Sequence, residues 1–379
     1  MELFLGNPVM ARLRCRGRFV SGTVQPDRRR RLFAALCQAL AQFRDYRAGP
    51  VKHPLFSLLM ILVLSTIAGC RGWDASADWA RAHFNLLRRY LDLWHTPPSA
   101  DTLRRTAQAY DLADFLGGLV TEDATVHLDG KRVRGATRDG QVHHFIEALC
   151  GGRVISMGEM GAGAEAPVIE ALLAALDLAG RLVTLDAAGT TPAVATAISE
   201  RDGDFLLAVE ANQPSLLNAL RTTFDETAGH TYRSKDEGHG RHETRRARTI
   251  TDPTIVARVS AAAKIPNIRC LCQISRTRIT REGIVTTVHY HISSRRLRPR
   301  QYARSVRSHW RIEAMHHVLD VSLNEDACQI CTAAGVVGAI RRLAYAVIAD
   351  LRGTLSFRRF AEIMRANPTP LLEICHSCR

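Results

Sequence analysis

Three successive strand-like runs, an alternation of helix and strand after them, and a first third that is helical throughout predict an α/β fold. The order is that of a ribonuclease-H-like core, here carrying a β-rich insertion and preceded by an all-helical N-terminal domain. The three runs are Thr125–Leu128, Val142–Leu149 and Arg153–Met160, parted by turn residues at Arg138-Asp139-Gly140 and Gly151-Gly152. Helices predicted at Ala166–Leu178, Thr191–Arg201 and Pro214–Phe224 then alternate with apolar strands at Leu182–Leu185 and Asp204–Val209.

Element by element, residues 1–31 form a basic lead-in ending in Arg28-Arg29-Arg30-Arg31. Residues 32–120 make the helical domain, with apolar side chains at three- and four-residue steps such as Leu32/Leu36/Leu40 and Leu86/Leu87/Tyr90/Leu91. Pro97-Pro98-Ser99 breaks that pattern, and Ser99 or Asp101 is placed to cap a further helix. The core takes residues 121–226 and 301–353. Between its halves, residues 227–300 alternate in the manner of Thr286-Thr287-Val288-His289-Tyr290-His291-Ile292, which predicts strands. A helix from Tyr302 to Val321 follows, and residues 354–379 are expected as a C-terminal tail.

At 379 residues and 46% apolar content the chain is long enough for two or three packed units. Its formal charge of +14 and pI near 9.8 point to a polyanionic partner. Only four of its 51 basic residues are lysines (Lys52, Lys131, Lys235, Lys264). Arginine grips phosphate through paired hydrogen bonds, which suits nucleic acid, although a GC-rich coding sequence produces the same excess. No basic-then-apolar secretory signal opens the chain, and the apolar run Leu55 to Cys70 is too short for the ~20 residues of a membrane span. Ten cysteines without a signal imply reduced thiols in the cytoplasm. The pairs Cys328/Cys331 and Cys375/Cys378 could supply four zinc ligands, but their wide separation favours free, partly buried thiols.

Three short acidic segments carry the chemistry. Asp129 follows the first strand in His127-Leu128-Asp129-Gly130-Lys131, Asp186 ends Leu182-Val183-Thr184-Leu185, and Glu313 lies on the last long helix. Carboxylates on neighbouring strand ends converge on rigid supports. With a third from a helix they can hold two Mg²⁺ or Mn²⁺ ions through hard oxygen ligands, a common device for cutting and joining phosphodiester bonds. Gly130 is expected to let a ligand approach the backbone closely. Glu313, His316, His317 and Asp320 share one helical face, and Glu-x-x-His is also half of a di-iron site; the strand-rich middle of the chain argues against that alternative. Expected DNA contacts are Lys131, Arg134, Arg241 and Arg245, then Arg307, His309 and Trp310 just before Glu313. A solvated basic face and a packed tryptophan are the plainer readings of the same residues.

Taken in order, these motifs resemble the insertion-sequence transposases of the ISAs-one group, which includes the H-repeat-associated proteins. The resemblance runs from about Leu32 to Gly353. Its strongest stretch is Val306-Arg307-Ser308-His309-Trp310-Arg311-Ile312-Glu313, continuing through His317-Val318-Leu319-Asp320-Val321 to Glu325-Asp326-Ala327. Asp129-Gly130-Lys131, Arg134-Gly135, Leu182–Ala187, Ala211-Asn212-Gln213, His239-Gly240-Arg241 with Glu243-Thr244-Arg245, and Ile292-Ser293-Ser294 join it. Lys52-His53-Pro54-Leu55, Ala68-Gly69, Trp73 and Pro98-Ser99 with Asp101-Thr102 match near the start.

The resemblance implies a DDE transposase with Asp129, Asp186 and Glu313 as its metal-binding triad. It also implies double-stranded DNA as partner, both element ends and target, and a homo-oligomer assembled on that DNA in the nucleoid. Three departures stand out. Glu210 replaces a usual lysine, Cys328 and Cys331 replace polar or basic residues, and the expected asparagine-rich helix near Gly335–Gly338 is missing. They motivate another reading, a decayed or domesticated copy that binds DNA without cutting it; a plain metal-dependent nuclease on the same core is a third.

Overall fold

The computed structural model describes residues 31–45, 47, 51–110, 116, 123–138, 141–161, 165–238, 241–280, 283–331 and 333–378. The lead-in up to Arg30 lies outside them. The first third is helical: α1 (Arg31–Ala41), α2 (Leu55–Ile67), α3 (Trp73–Ala82), α4 (Phe84–Tyr90) and α5 (Ala100–Ala109). Ser99 caps α5, its hydroxyl accepting from the Thr102 amide at 3.2 Å. Helix α2 is apolar on every side and nearly all of it is buried. No described helix is long and apolar enough to cross a membrane.

Among the described residues, nine strands form one sheet in the order β3-β2-β1-β4-β5-β9-β8-β7-β6. Its first five are β1 (Thr125–Arg138), β2 (Gln141–Cys150), β3 (Arg153–Met160), β4 (Leu182–Leu185) and β5 (Asp204–Val209). β1, β4 and β5 run parallel, while β2 and β3 join as antiparallel neighbours, the ribonuclease-H-like order expected from the sequence. The crossovers are α6 (Glu165–Ala175) and α7 (Pro192–Ser199), with α8 (Pro214–Glu226) after β5. Strands β6 (His230–Gly238), β7 (Arg241–Ile250), β8 (Cys270–Thr280) and β9 (Gly283–Ser293) then extend the same sheet, because β9 pairs antiparallel with β5. Helix α9 (Pro253–Ser260) joins β7 to β8.

β1 does not stop at Leu128. It stays paired with β2 from Val126 through Val133 and, after a shift, to Arg138, so Asp129 sits inside a strand. What ends near Asp129 is the pairing with β4, whose last partners are Leu128 and Leu185.

Helix α10 (Pro299–Val321), a short 3-10 turn (Glu325–Ala327) and α11 (Ala334–Leu351) close the other face. The sheet is therefore the middle of three layers. On one side Val126, Leu128, Val183 and Phe205 pack against α6, α7 and α8. On the other, Phe145, Leu149, Val154 and Met157 enter a core that also holds α1–α5, α10 and α11.

The residues after Gly353 are not a tail. They form α12 (Phe357–Ala366) and α13 (Thr369–Ser377), whose Phe360, Met364, Leu371, Leu372 and Cys375 fill that same core. Apolar side chains at three- and four-residue steps give each helix a face to bury. The Arg365 guanidinium donates to the carbonyls of Ala68 (2.9 Å) and Gly69 (2.8 Å), satisfying the end of α2, where Gly69 takes a φ of +78°. Of the CxxC cysteines, Cys328 and Cys375 are buried, and Cys331 and Cys378 are half-buried.

Leu372 is fully buried between α13 and the N-terminal helices. Leu372→Ala is expected to cost about 2–5 kcal/mol in urea unfolding. A loss under ~0.5 kcal/mol would show that the last helices do not belong to the core.

Candidate active site

Asp129 and Asp186 are the residues that follow the last β1–β4 pair, Leu128 with Leu185. Strand alternation puts Asp129 on the face of His127, and Asp186 on the face of Thr184. Helix α10 crosses this face. His309, Glu313, His316 and Asp320 recur on it at steps of four, three and four residues and so share one side.

Three polar contacts fix the helix to the sheet. His309 Nδ1 lies 2.8 Å from the Thr184 hydroxyl, which lies 2.7 Å from His127 Nδ1. His316 Nδ1 is 3.5 Å from an Asp129 oxygen, and Lys131 Nζ is 2.6 Å from Asp320. Glu313 falls between the first two and is exposed.

Asp129 and Glu313 both feel the charge of Asp186. Burial pushes the Asp129 carboxyl up to about 6, and the charges of Asp186 and Glu313 add to the rise; His316 and the Gly130 amide, 2.8 Å from Oδ1, hold it back. Partial desolvation raises Glu313 as well, with Asp186 adding to the shift and His316 opposing it. Burial drives His127 down to about 3 and His309 to about 4, so both rings are neutral at pH 7.

The loop after β4 is held by short polar links. The Gly189 amide donates to Asp186 Oδ1 at 3.2 Å. Asn212 Nδ2 donates to the Ala187 carbonyl and Gln213 Nε2 to that of Thr190, each at 2.7 Å. The Ala211-Asn212-Gln213 motif thus steadies the backbone just after Asp186, at Ala187 and Thr190.

A divalent ion of the Mg²⁺ type takes hard oxygen donors, and a carboxyl raised by burial and by neighbouring acids, as Asp129 is, is a donor whose charge such an ion would relieve. Asp129, Asp186 and Glu313 fit in kind. Among the described residues, however, no three His, Cys, Asp or Glu side chains are already gathered for a metal.

Several expected DNA contacts are committed elsewhere. Lys131 is buried between Asp320 and Asp326 (3.2 Å), where it ties β1 to the helix and the 3-10 turn. Arg245 pairs with buried Glu243, and Arg276 joins the same carboxylate at 2.9 Å. Both guanidinium groups lie over the Trp310 ring, 5.5 and 5.2 Å from its centre. Trp310 therefore docks α10 on the insertion instead of standing free to stack on a base. His309 is turned into the sheet. Arg134 and Arg307 remain open, although their nearest acids are Asp326 at 3.7 Å and Asp236 at 3.2 Å. Arg241 lies in β7 with its side chain outside the described residues, as are His239 and Gly240.

The two motif glycines serve packing. A Cβ on Gly130 would meet His144 Nε2 at 2.6 Å, so the close approach there is by an imidazole and not the ligand expected from the sequence. A Cβ on Gly135 would meet the Asp326 carbonyl oxygen at 2.5 Å.

Sequence reasoning missed the group behind Asp129. Glu147, opposite Asp129 across β1 and β2, is fully buried. Its oxygens face His316 Nε2 (3.2 Å) and Arg342 Nε (2.8 Å), and Arg342 also pairs with buried Glu325. Burial alone would raise Glu147; Arg342 and His316 bring it down to about 2. The available signal was a lone charge in the apolar run Phe145-Ile146-Glu147-Ala148-Leu149.

A sheet in this order, with acidic residues on two adjacent strands and on the helix across them, is the build of a DDE-type enzyme. The transposase DDE domain model matches residues 129–348, and a DDE_Tnp_1-associated model matches residues 37–119; the chain belongs to the DDE transposase family. YncI of Escherichia coli O157:H7, a candidate transposase by its name, is 28% identical over 359 residues, spanning 87% of this chain and 91% of its own. The H repeat-associated candidate transposase YhhI of Escherichia coli K12 is 27% identical over 342 residues, spanning 83% and 90%. A solved piggyBac transposase synaptic complex with hairpin DNA aligns over 92% of this chain and 79% of its own, at 11% identity and a TM-score of 0.42.

Two outcomes follow. Asp129 ionises near 6 when folded against an ordinary 3.8, so the folded chain keeps a proton that the unfolded chain has released. Stability is thus lost as pH rises from about 4 to about 6, by on the order of 1–3 kcal/mol. Asp129→Asn should therefore raise the melting temperature in EDTA at neutral pH, with a gain that shrinks towards pH 4; an equal gain at both would refute the cause. Arg342→Met strands two buried carboxylates and should cost on the order of 3–5 kcal/mol in chemical unfolding, whereas an unchanged midpoint would mean that the pairing adds nothing.

Proposed function

We propose that this transposase cuts phosphodiester bonds at the ends of a DNA element and joins those ends to target DNA. Asp129, Asp186 and Glu313 are its catalytic carboxylates and hold two Mg²⁺ or Mn²⁺ ions. One observation carries the reading: Asp129 and Asp186 lie at the same level of adjacent parallel strands, with Glu313 on the helix pinned across them near enough that it and Asp186 both add to the rise of Asp129. Bound ions would supply an activated water or 3′-hydroxyl and a stabilised leaving oxygen. The chain's own part is placement. β1 and β4 hold the aspartates, α10 brings Glu313, and the neutral His309 beside Asp186 adds no charge to compete with the ions.

Arg300, Arg304, Arg307 and Arg311 recur along the exposed side of α10 and lead towards Glu313. With exposed Arg134 they offer a phosphate track for duplex DNA. Joining two ends needs two active centres, so the working form is a homo-oligomer on DNA in the nucleoid.

A decayed, binding-only copy is the second reading. Glu210, exposed just past the end of β5, which neighbours the strand bearing Asp186, favours it, because a carboxylate there repels phosphate. On that reading Glu210→Lys tightens DNA binding and steepens its salt dependence.

The test is a labelled duplex spanning the element's own end, with Mg²⁺ and with EDTA. Wild-type protein should nick at the boundary only with the metal, and Asp186→Asn should lose at least about 100-fold in rate while keeping its DNA affinity in EDTA. Salt-sensitive binding without nicking in either Mg²⁺ or Mn²⁺ would establish the binding-only copy. Nicking without strand-transfer products on an added plasmid would leave a plain nuclease.

A further inference from the structure

The buried ionic group beside the carboxylates has no counterpart in the proposed chemistry, yet it is built with care. Glu147, Glu325, Arg341 and Arg342 are all at least nine-tenths buried, two acids against two guanidinium groups. Such groups seldom stabilise a fold better than apolar side chains of the same size, so their value lies in fixing an arrangement. What they fix is His316. Its Nε2 is 3.2 Å from Glu147 Oε2, while the other Glu147 oxygen is held by Arg342. Its Nδ1 is then presented to Asp129 Oδ2 at 3.5 Å. The second Asp129 oxygen accepts from the Gly130 amide, so each carboxylate oxygen has one restraint.

We propose that His316 is a positioning residue for Asp129: backed by Glu147 and Arg342, its ring sets the direction in which the Asp129 carboxylate faces the ions it would hold. This rests on the proposed role of Asp129, and it extends that role to a chain of residues running from the edge of the site to the middle of α11. Groups that orient a ligand side chain in this way commonly matter about 10–100-fold in metal affinity or rate.

The two nitrogens of His316 face different partners, which makes the inference testable by shape. An asparagine amide stands where Nδ1 stands and reaches Asp129; a glutamine amide stands where Nε2 stands and reaches Glu147. His316→Ala, His316→Asn and His316→Gln are compared for single-turnover nicking in Mg²⁺, for Mn²⁺ affinity by electron paramagnetic resonance without DNA, and for melting temperature in EDTA. The expected result is a loss of about 10-fold or more in Mn²⁺ affinity and nicking for alanine and glutamine, with most of both restored by asparagine. A role in packing alone would move the melting temperature and leave Mn²⁺ affinity unchanged, which overturns the proposal. Equal rescue by glutamine and asparagine overturns it as well. Should the wild-type protein bind Mn²⁺ no better than Asp129→Asn does, the assignment of Asp129 itself fails; Mn²⁺ binding that needs Asp129 but ignores His316 defeats only the positioning role.

Discussion

Because α10 is fastened to the sheet by three polar contacts, one turn of helix is delivered to two aspartates encoded more than a hundred residues earlier. The Thr184 hydroxyl takes His309, Asp129 takes His316, and Lys131 takes Asp320. Apolar packing alone would let such a helix slide or roll, since Ile312, Met315 and Leu319 would find other apolar neighbours. Polar contacts have fixed lengths and partners, so they specify register as well as proximity. Everything distinctive about the site depends on that register: the level at which Glu313 enters, the crowding that raises Asp129, and the docking of Trp310 on the insertion.

The stability of this region runs against its function. Asp129 is ionised at neutral pH at a cost in folding free energy, beside two further carboxylates whose charges add to it. The surrounding protein absorbs that cost through the apolar layers on both faces of the sheet. The insertion contributes by continuing the sheet past β5, so that β7 and β8 present Arg245 and Arg276 to Trp310 and steady the N-terminal half of α10.

Much of this was legible in the chain, and what was not has a common cause. Alternation and turn residues marked β1 to β5, and the order of Asp129, Asp186 and Glu313 was visible as acids beside apolar runs. The extent of β1 was not, because its outer half is a strand only by virtue of pairing with β2. Residues 354–379 read as a tail because their partners are helices some three hundred residues away. Lys131, Arg245 and Trp310 read as open to DNA for the same reason: Asp320 and Asp326 neutralise Lys131, and Arg245 and Trp310 cover each other across the fold with Arg276 alongside. Local pattern shows which side chains are charged; only long-range pairing shows which charges are already spent. Glu147, His316 and Arg342 join three elements far apart in sequence, and no single stretch of sequence could disclose them together.

The closure of α12 and α13 over α1, α2 and α4 has a temporal consequence. Helix α2 has no polar side, and its cover includes α11 and the two helices beyond it. During synthesis those helices leave the ribosome on the order of tens of seconds after α2 does. For that interval a helix without a charged side chain is without its final neighbours, and a domain made early is completed late. Nascent chains of this protein therefore carry an uncovered greasy segment while the whole sheet is made, and their yield depends on whatever shields it until α12 and α13 arrive.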